Sequence, residues 1–556
     1  MKKPILFSVL LLLLSAAAIA QPVLKRFDLQ PGKHSNPVFL TPVGGKLFFE
    51  ASNGPYESEL YVSDGTDTGT HKVPNTIVGY APRAICDYNG KAIFSYLDSV
   101  HGNELWISDG TSSGTYMIKD INPGKASGFS SSFSITYNGK VYFGGNDGIY
   151  GTSLWCTDGT AAGTQMVADL IPGAADAEIK EFVISGGKLY FNASDSFQGH
   201  MKLWVTDGTT AGTQCLRSTC GSFPCYSMDS PTPWLTAYNN KVYFSAQSLT
   251  YGTEIWTSDG TNAGTHILKD INPGSGSGFS TGIWTKQPQV FNNKLYFEGT
   301  NGTNGIDIWE TDGTTTGTSI AIDLAPFIGA NGPTFYHTVA SNRLFFFVYN
   351  QTATNAQMIC TDGTQSGTRS ITFPDSMRGI TSPPVAYRNR LYVPAAANGK
   401  MALLSFVDTS TVPQYASHTY PIMAPGSTPY MTIMWPTVCD SSLFFTAPLD
   451  TAGTELWMLR DTVYKPVVNP ITINKILHTN NITLYPNPAH HNFTIKTTTT
   501  FKTGSVTLTD VTGRVVKTEK LYSNEQTISL QGIAPGMYIA DVWLDGKRST
   551  QKLTIK

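Results

Sequence analysis

Seven times between Glu59 and Thr368 the chain returns to one short sentence. Glu104-Leu-Trp-Ile-Ser-Asp-Gly-Thr, Ser153-Leu-Trp-Cys-Thr-Asp-Gly-Thr and Glu254-Ile-Trp-Thr-Ser-Asp-Gly-Thr are variants of it. So are the segments opening at Glu59, Lys202, Asp307 and Gln357, and each runs on through two residues to Gly-Thr. The Asp-Gly pairs begin at Asp64, Asp109, Asp158, Asp207, Asp259, Asp312 and Asp362, with spacings of 45, 49, 49, 52, 53 and 50 residues. A period near fifty suits propeller blades or a helical solenoid. The residues between the repeats decide for blades.

One unit runs over residues 130–170. Ser130 to Tyr137 is rich in strand formers, and Asn138-Gly139 is a hairpin signal because both residues tolerate positive φ. Lys140 to Phe143 and Leu154 to Thr157 follow, Asp158-Gly159 turns the chain, and Gln165 to Leu170 supplies a fourth strand. Four short antiparallel strands without helical periodicity describe a blade. Large apolar groups on both faces, as in Val141-Tyr142-Phe143, suit a sheet sandwiched between two others. Glu455-Leu456-Trp457 is a further copy without its Asp-Gly, and Met401 to Val407 is a worn one between it and Gln357. The fold class is therefore all-β, a propeller of about nine four-stranded blades with eight as the alternative count. Val23 to Gly32 resembles the fourth-strand segment His266 to Gly274 and precedes the first complete set of strands. Its expected role is to complete the last blade near residues 430–460 and remove two sheet edges.

These residues resemble the ELWxxDGTxxGT repeat family of bacterial surface and secreted proteins, over roughly residues 22–468. The resemblance implies a propeller-like repeat and no defined activity. After Pro470 the pattern changes. Leu484-Tyr485-Pro486-Asn487-Pro488, the turn Asp510-Val-Thr-Gly513-Arg514, Ala534-Pro-Gly536-Met-Tyr538 and a basic end punctuate short alternating strands, as in an immunoglobulin-like β-sandwich. This segment resembles the type A C-terminal sorting domain of type IX secretion in the Bacteroidetes, which implies export with Pro486, Asn487, Pro488, Gly513, Gly536 and Tyr538 as sorting-motif positions. At the other end, Lys2 and Lys3, the apolar run Ile5 to Leu14 and Ala18-Ile19-Ala20 read as a signal peptide. The expected organisation is a signal peptide over 1–20, a propeller over 21–468, a linker over 469–480 and a sorting domain over 481–556. The expected partners are the Sec translocon and the type IX machinery, with no membrane span after signal removal. The expected location is the outer-membrane surface or the medium, reached through the periplasm.

Charged residues make up 14% of the chain and the net charge is −2, against about a quarter charged in ordinary domains. Such a balance offers no footprint for nucleic acid. Cys215, Cys220 and Cys225 cluster, and an oxidising compartment allows one bridge among them without selecting the pair. Each repeat carries one carboxylate in its Asp-Gly-Thr, too few oxygens for calcium. The seven Asp residues are therefore read as structural turns, and no metal or cofactor is expected. Loops where the blades differ carry Tyr96, His101, Tyr150, Phe197, His200, Tyr226 and Tyr251, the candidate binding rim. Asp98, Asp147, Asp195 and Asp229 are unpaired by any catalytic motif, and no catalytic residue is assigned. The leading reading is a non-enzymatic binding protein for a glycan or a protein ligand. The alternative is a polysaccharide-active hydrolase or lyase on the same scaffold.

Overall fold

The computed structural model describes residues 23–460 and 482–555, apart from 32, 55–56, 75–81, 195–200, 217–233, 249, 280–287, 329–333, 349–356, 373–378, 381, 389, 398–399, 407–413, 416–419, 422–432, 449–452, 487–488, 498–499, 511–514, 535 and 546. The chain divides into two compact units, Met1–Tyr464 and Lys465–Lys556. The described residues of the larger unit form nine antiparallel sheets that follow one another in chain order. The first, Val38–Val43, Lys46–Gly54, Glu57–Ser63 and His71–Lys72, sets the pattern. It is a propeller-like architecture of repeated four-stranded sheets.

Local chemistry explains the strand order. Between the first and second strands of successive sheets sit two-residue turns with positive φ at both centres. Examples are Asn89 (53°) with Gly90 (76°), Asn138 (47°) with Gly139 (72°), and Asn239 (47°) with Asn240 (58°). That geometry matches the twist of the flanking strands. The tyrosine before the turn reaches across to the next sheet: Tyr137 Oη donates to Gly187 O (2.7 Å), Tyr238 Oη to Asn293 O (2.6 Å) and Tyr387 Oη to Ser441 O (2.6 Å).

Each sheet buries both faces against its neighbours. Phe48 and Val62 of the first sheet pack on Phe94 and Tyr96 of the second. Equivalent clusters fill the successive junctions as far as the eighth and ninth sheets, where Tyr392 and Leu403 meet Leu443, Phe445 and Trp457. A further cluster joins the ninth sheet to the first, with Phe27, Phe444 and Met458 against Leu47, Phe49 and Tyr61. Each large apolar side chain so buried contributes about 1.5–3 kcal/mol. First strands of neighbouring sheets lie side by side: Val38–Val43 touches Arg83–Tyr88 on one flank and Met434–Cys439 on the other.

The ninth sheet takes its outer strand from the far end of the chain. Val23–Phe27 pairs antiparallel with Glu455–Arg460, from Val23↔Arg460 to Phe27↔Leu456. The following segment is held too, with Ser35 N and Asn36 N donating to Thr454 O at 3.1 and 3.0 Å. The eighth sheet, around Arg390–Ala397 and Lys400–Phe406, is the least regular, with two short outer segments on one strand. It holds the worn repeat.

The smaller unit has two sheets. One is Ile482–Tyr485, Asn492–Thr497 and Glu525–Ser529; the other is Val515–Leu521, Gly504–Asp510, Gly536–Leu544 and Lys547–Ile555. Leu484, Phe493, Ile495 and Ile528 of the first share one core with Val506, Ala540, Val542 and Leu553 of the second.

Deleting Val23–Phe27 strips the partner from Glu455–Arg460 and uncovers Phe444 and Met458. The expected result is a lower melting temperature and self-association through the bared edge, read by thermal unfolding and light scattering. An unchanged melt with a monomeric scattering profile rules this role out.

Candidate functional site

The repeated motif is a closed hydrogen-bond device. At Asp158, Oδ1 accepts from Thr160 N (3.0 Å) and Thr160 Oγ1 (2.6 Å). Thr160 Oγ1 accepts from Gly163 N (3.0 Å), and Thr160 O accepts from Thr164 Oγ1 (2.7 Å). Thr157 Oγ1 lies 2.7 Å from Thr164 Oγ1 and accepts from Gly159 N at 3.0 Å. Asp64, Asp109, Asp207, Asp259, Asp312 and Asp362 each make the same contact to the Thr two residues on. The Thr hydroxyl and amide hold these carboxyls below the ordinary Asp range, as at Asp158 and Asp207. Both glycines are required. Gly159 has φ +84°, and a Cβ on Gly163 would overlap the Asp158 carboxylate.

The acidic residue opening the repeat does different work. Glu104 is fully buried and collects backbone donors from the connection to the next sheet: Ile121 N (2.9 Å), Asn122 N (3.5 Å) and Gly128 N (2.7 Å). Glu254 does the same with Ile271 N (3.1 Å), Asn272 N (3.4 Å) and Gly278 N (2.7 Å). At Glu455 the donors are Leu29 N (3.4 Å), Ser35 N (3.2 Å) and Ser35 Oγ, so the N-terminal segment stands in for the missing connection. Burial pushes Glu104, Glu254 and Glu455 up to about 7, against the pull of those donors.

The loop residues are distributed unevenly. Tyr150 and Tyr251 are 42% and 40% exposed. His101 stands by Asp98, with Nδ1 2.8 Å from Oδ2, while Asp98 Oδ1 accepts from Val100 N (2.7 Å) and His101 N (2.6 Å). That contact raises the His101 pKa. Asp147 Oδ1 caps its own turn through Ile149 N (2.9 Å) and Tyr150 N (3.0 Å). Tyr96 does not belong to a rim. It lies within strand Lys91–Asp98, is fully buried, and meets Trp106 edge-on at 5.6 Å. The strand runs past the expected loop boundary because Tyr96 faces the first sheet, where its ring is covered. Phe197, His200, Tyr226, Asp195, Asp229, Cys220 and Cys225 lie outside the described residues.

Three exposed aromatics that the sequence did not single out are on first strands. Phe39 and Trp435 are 40% and 42% exposed, with ring centroids 5.8 Å apart. Each sits in a bulge, between Val38↔Glu50 and Thr41↔Phe48 and between Met434↔Thr446 and Thr437↔Phe444. Their φ values are +54° and +56°, which costs a bulky residue on the order of 1–3 kcal/mol. Phe133, on the first strand of the third sheet, is 41% exposed. The signal was an aromatic where the copies otherwise vary, Val38-Phe-Leu-Thr-Pro beside Met434-Trp-Pro-Thr.

Of the sorting-motif positions, Pro486 is exposed and Gly536 opens strand Gly536–Leu544. Tyr538 is buried, with Oη donating to Ala534 O at 2.8 Å. Asn487, Pro488 and Gly513 lie outside the described residues.

Residues 483–556 match the family described as secretion system C-terminal sorting domain. No curated protein matches the chain. Solved structures similar to it include PorZ, an essential surface component of the type IX secretion system of Porphyromonas gingivalis, at 12% identity and a TM-score of 0.34, covering 93% of this chain and 75% of that one. The Dos1 propeller is 12% identical at a TM-score of 0.36, over 66% of this chain and 88% of that one. The extracellular domain of a hybrid two-component system from B. thetaiotaomicron is 11% identical at 0.30, over 97% and 76%. The chain carries a type IX sorting domain and is secreted to the cell surface through the periplasm. No helix among the described residues is long and apolar enough to cross a membrane.

Asp158→Ala removes two acceptor contacts at one turn and is expected to cost on the order of 1 kcal/mol without unfolding the protein. Added calcium and chelator should leave the melting curve unmoved. A calcium-dependent rise in melting temperature that disappears in Asp158→Ala, Asp207→Ala would identify a metal site instead.

The buried Glu residues predict a pH dependence of known sign. Their folded pKa of about 7 lies above the ordinary value of 4.5. Between those values the folded chain keeps protons that the unfolded chain has released, so stability falls as pH rises from about 4.5 to about 7 and then levels. The melting temperature should be higher at pH 5.5 than at pH 8, and Glu104→Gln with Glu254→Gln should flatten the slope. A melting temperature that climbs across this window contradicts the assignment.

Proposed function

We propose that this surface protein is a non-enzymatic binding propeller, with an ELWxxDGTxxGT-type repeat forming a closed ring of nine blades over 21–468. On this reading residues 1–20 are a signal peptide that directs the chain through the Sec translocon, 469–480 are a linker, and 481–556 are an immunoglobulin-like sorting domain. Pro486, Asn487, Pro488, Gly513, Gly536 and Tyr538 mark the sorting motif. The observation that carries the reading is the match of 483–556 to a sorting domain, beside repeats in which most of the recurring acids hold local turns and connections. Seven Asp carboxylates hold turns, and Glu104, Glu254 and Glu455 hold the links between sheets. Catalysis needs one asymmetric constellation, and carboxylates repeated at equivalent places supply scaffold. The ligand is a glycan or a protein, met by residues that differ between blades.

In a host with type IX secretion, deleting Asn481 to Lys556 should leave the remainder in the periplasm, as read by fractionation and surface proteolysis. Normal surface levels of the truncated chain contradict the export assignment. Release of reducing ends from a glycan panel by the purified protein contradicts the non-enzymatic one.

A further inference from the structure

Residues along the strand Gly536–Leu544 of the smaller unit alternate between two faces. Tyr538, Ala540, Val542 and Leu544 belong to the shared core. Ile539, Asp541 and Trp543 therefore take the outer face of the four-stranded sheet, where Ile539 and Trp543 are 37% and 42% exposed. All seven described strands of the unit belong to its two sheets, and the first sheet packs on the inner side. None of them lies over this face. Tyr538, the neighbouring sorting-motif position, is buried with its hydroxyl on Ala534 O, out of a partner's reach.

The two outer faces of the unit differ in character. On the three-stranded sheet the outer side is polar and internally paired. Lys496 Nζ lies 3.0 Å from Glu525 Oε2, Tyr485 Oη donates to the same carboxylate, and Thr494 Oγ1 is 3.0 Å from Thr527 Oγ1. On the four-stranded sheet Trp543 stands in a row across the strands, opposite Ser505 and Arg548, with Lys520 beyond Ser505. Ile539 stands opposite Thr509 and Lys552. Lys520 is exposed, whereas Asp541, between the two apolar residues, is only 9% exposed. By register, then, basic positions edge the apolar pair. The unit follows suit: residues 482–556 hold nine Lys and Arg against five Asp and Glu, in a chain of net charge −2.

We propose that this face, centred on Ile539 and Trp543 and edged by Lys520, is where the type IX machinery grips the sorting domain. Its partner there is a protein of that machinery presenting an apolar patch bordered by carboxylates. The inference rests on the export assignment and goes beyond the family match, which identifies a sorting domain and not the surface it offers. Trp and Arg are enriched where proteins meet, and truncating a central Trp there costs most. A membrane surface fits less well. An interfacial segment sinks one whole side of an amphipathic helix among the headgroups. Here two apolar residues lie on the flat of a sheet, beside Ser505, Thr507 and Thr509. Such a face matches another folded surface, and opposite charges around the rim fix the register of the two.

The test follows the full chain in a host with type IX secretion, by fractionation and surface proteolysis. Ile539→Thr with Trp543→Thr keeps strand-forming residues and should cut the surface level roughly tenfold or more, the scale of a lost hot spot. The chain should collect in the periplasm while the melting temperature of the purified variant holds. Lys520→Glu should lower the surface level too. Lys496→Glu, the same change of charge on the other outer face, should not. A photo-crosslinker at Thr518, exposed on the proposed face, should join the chain to an outer-membrane component of the type IX machinery. One at Thr527, exposed on the other sheet, should not. Normal surface levels in the double variant and in Lys520→Glu overturn the inference. So does a lowered melting temperature in the double variant with normal export of Lys520→Glu, which marks the two side chains as packing. Crosslinks from Thr518 to a second copy, to the larger unit or to lipid alone overturn it by naming another occupant. Deletion of Asn481 to Lys556 separates the two levels: if the deletion traps the chain and these variants do not, this inference falls and the export assignment stands.

Discussion

A short sheet with apolar groups on both faces cannot stand alone in water, and this is the constraint on which the larger unit depends. Leu47 and Phe49 face the ninth sheet while Phe48 faces the second, and the alternation recurs down the chain. Any end to the series would leave one such face wet. The ninth sheet packs on the first, and Val23–Phe27 supplies its outer strand. Burying several large side chains at each junction outweighs the roughly 1 kcal/mol of a single turn contact. The turns decide where strands begin and end; the junctions hold them together.

Polar groups serve the same geometry. The Asp-Gly-Thr network shapes the hairpin between third and fourth strands, and its glycine also makes room for the preceding sheet. Gly208, for instance, lies against the Tyr142 hydroxyl, where any side chain would collide. The buried Glu at the start of the repeat gathers amides of the connection to the next sheet. These two acids are opposite in character. The exposed Asp is held below its ordinary pKa by Thr, whereas the buried Glu is raised by desolvation. Copies such as the one opening at Glu104 therefore place one carboxylate in a surface turn and one inside a junction.

Much of the architecture was legible in the residues. Positive-φ pairs such as Asn138-Gly139 and the recurring Asp-Gly-Thr mark turns through local stereochemistry, which needs no knowledge of distant neighbours. The likeness of Val23 to Gly32 to an outer strand pointed to its partner, because a strand without a hairpin mate must find one elsewhere. The Tyr-Pro-Asn-Pro segment opened a region that matches a sorting domain. The rim was less legible. Tyr96 and Tyr150 look alike in sequence, each bulky and close to a loop, yet one is fully buried and the other 42% exposed.

The sequence by itself determined what is local or periodic: the strand count per repeat, the turn types, the both-faces-apolar strands and the sorting segment. Each follows from residue stereochemistry or from a pattern that returns every fifty or so residues. Only the tertiary structure decided which side chains end up covered and which residues become neighbours. Tyr96 is buried because the first sheet lies over it, and Phe39 meets Trp435 because the ninth sheet packs against the first. Such contacts depend on the summed rotation of all the intervening sheets, a quantity that no single repeat encodes.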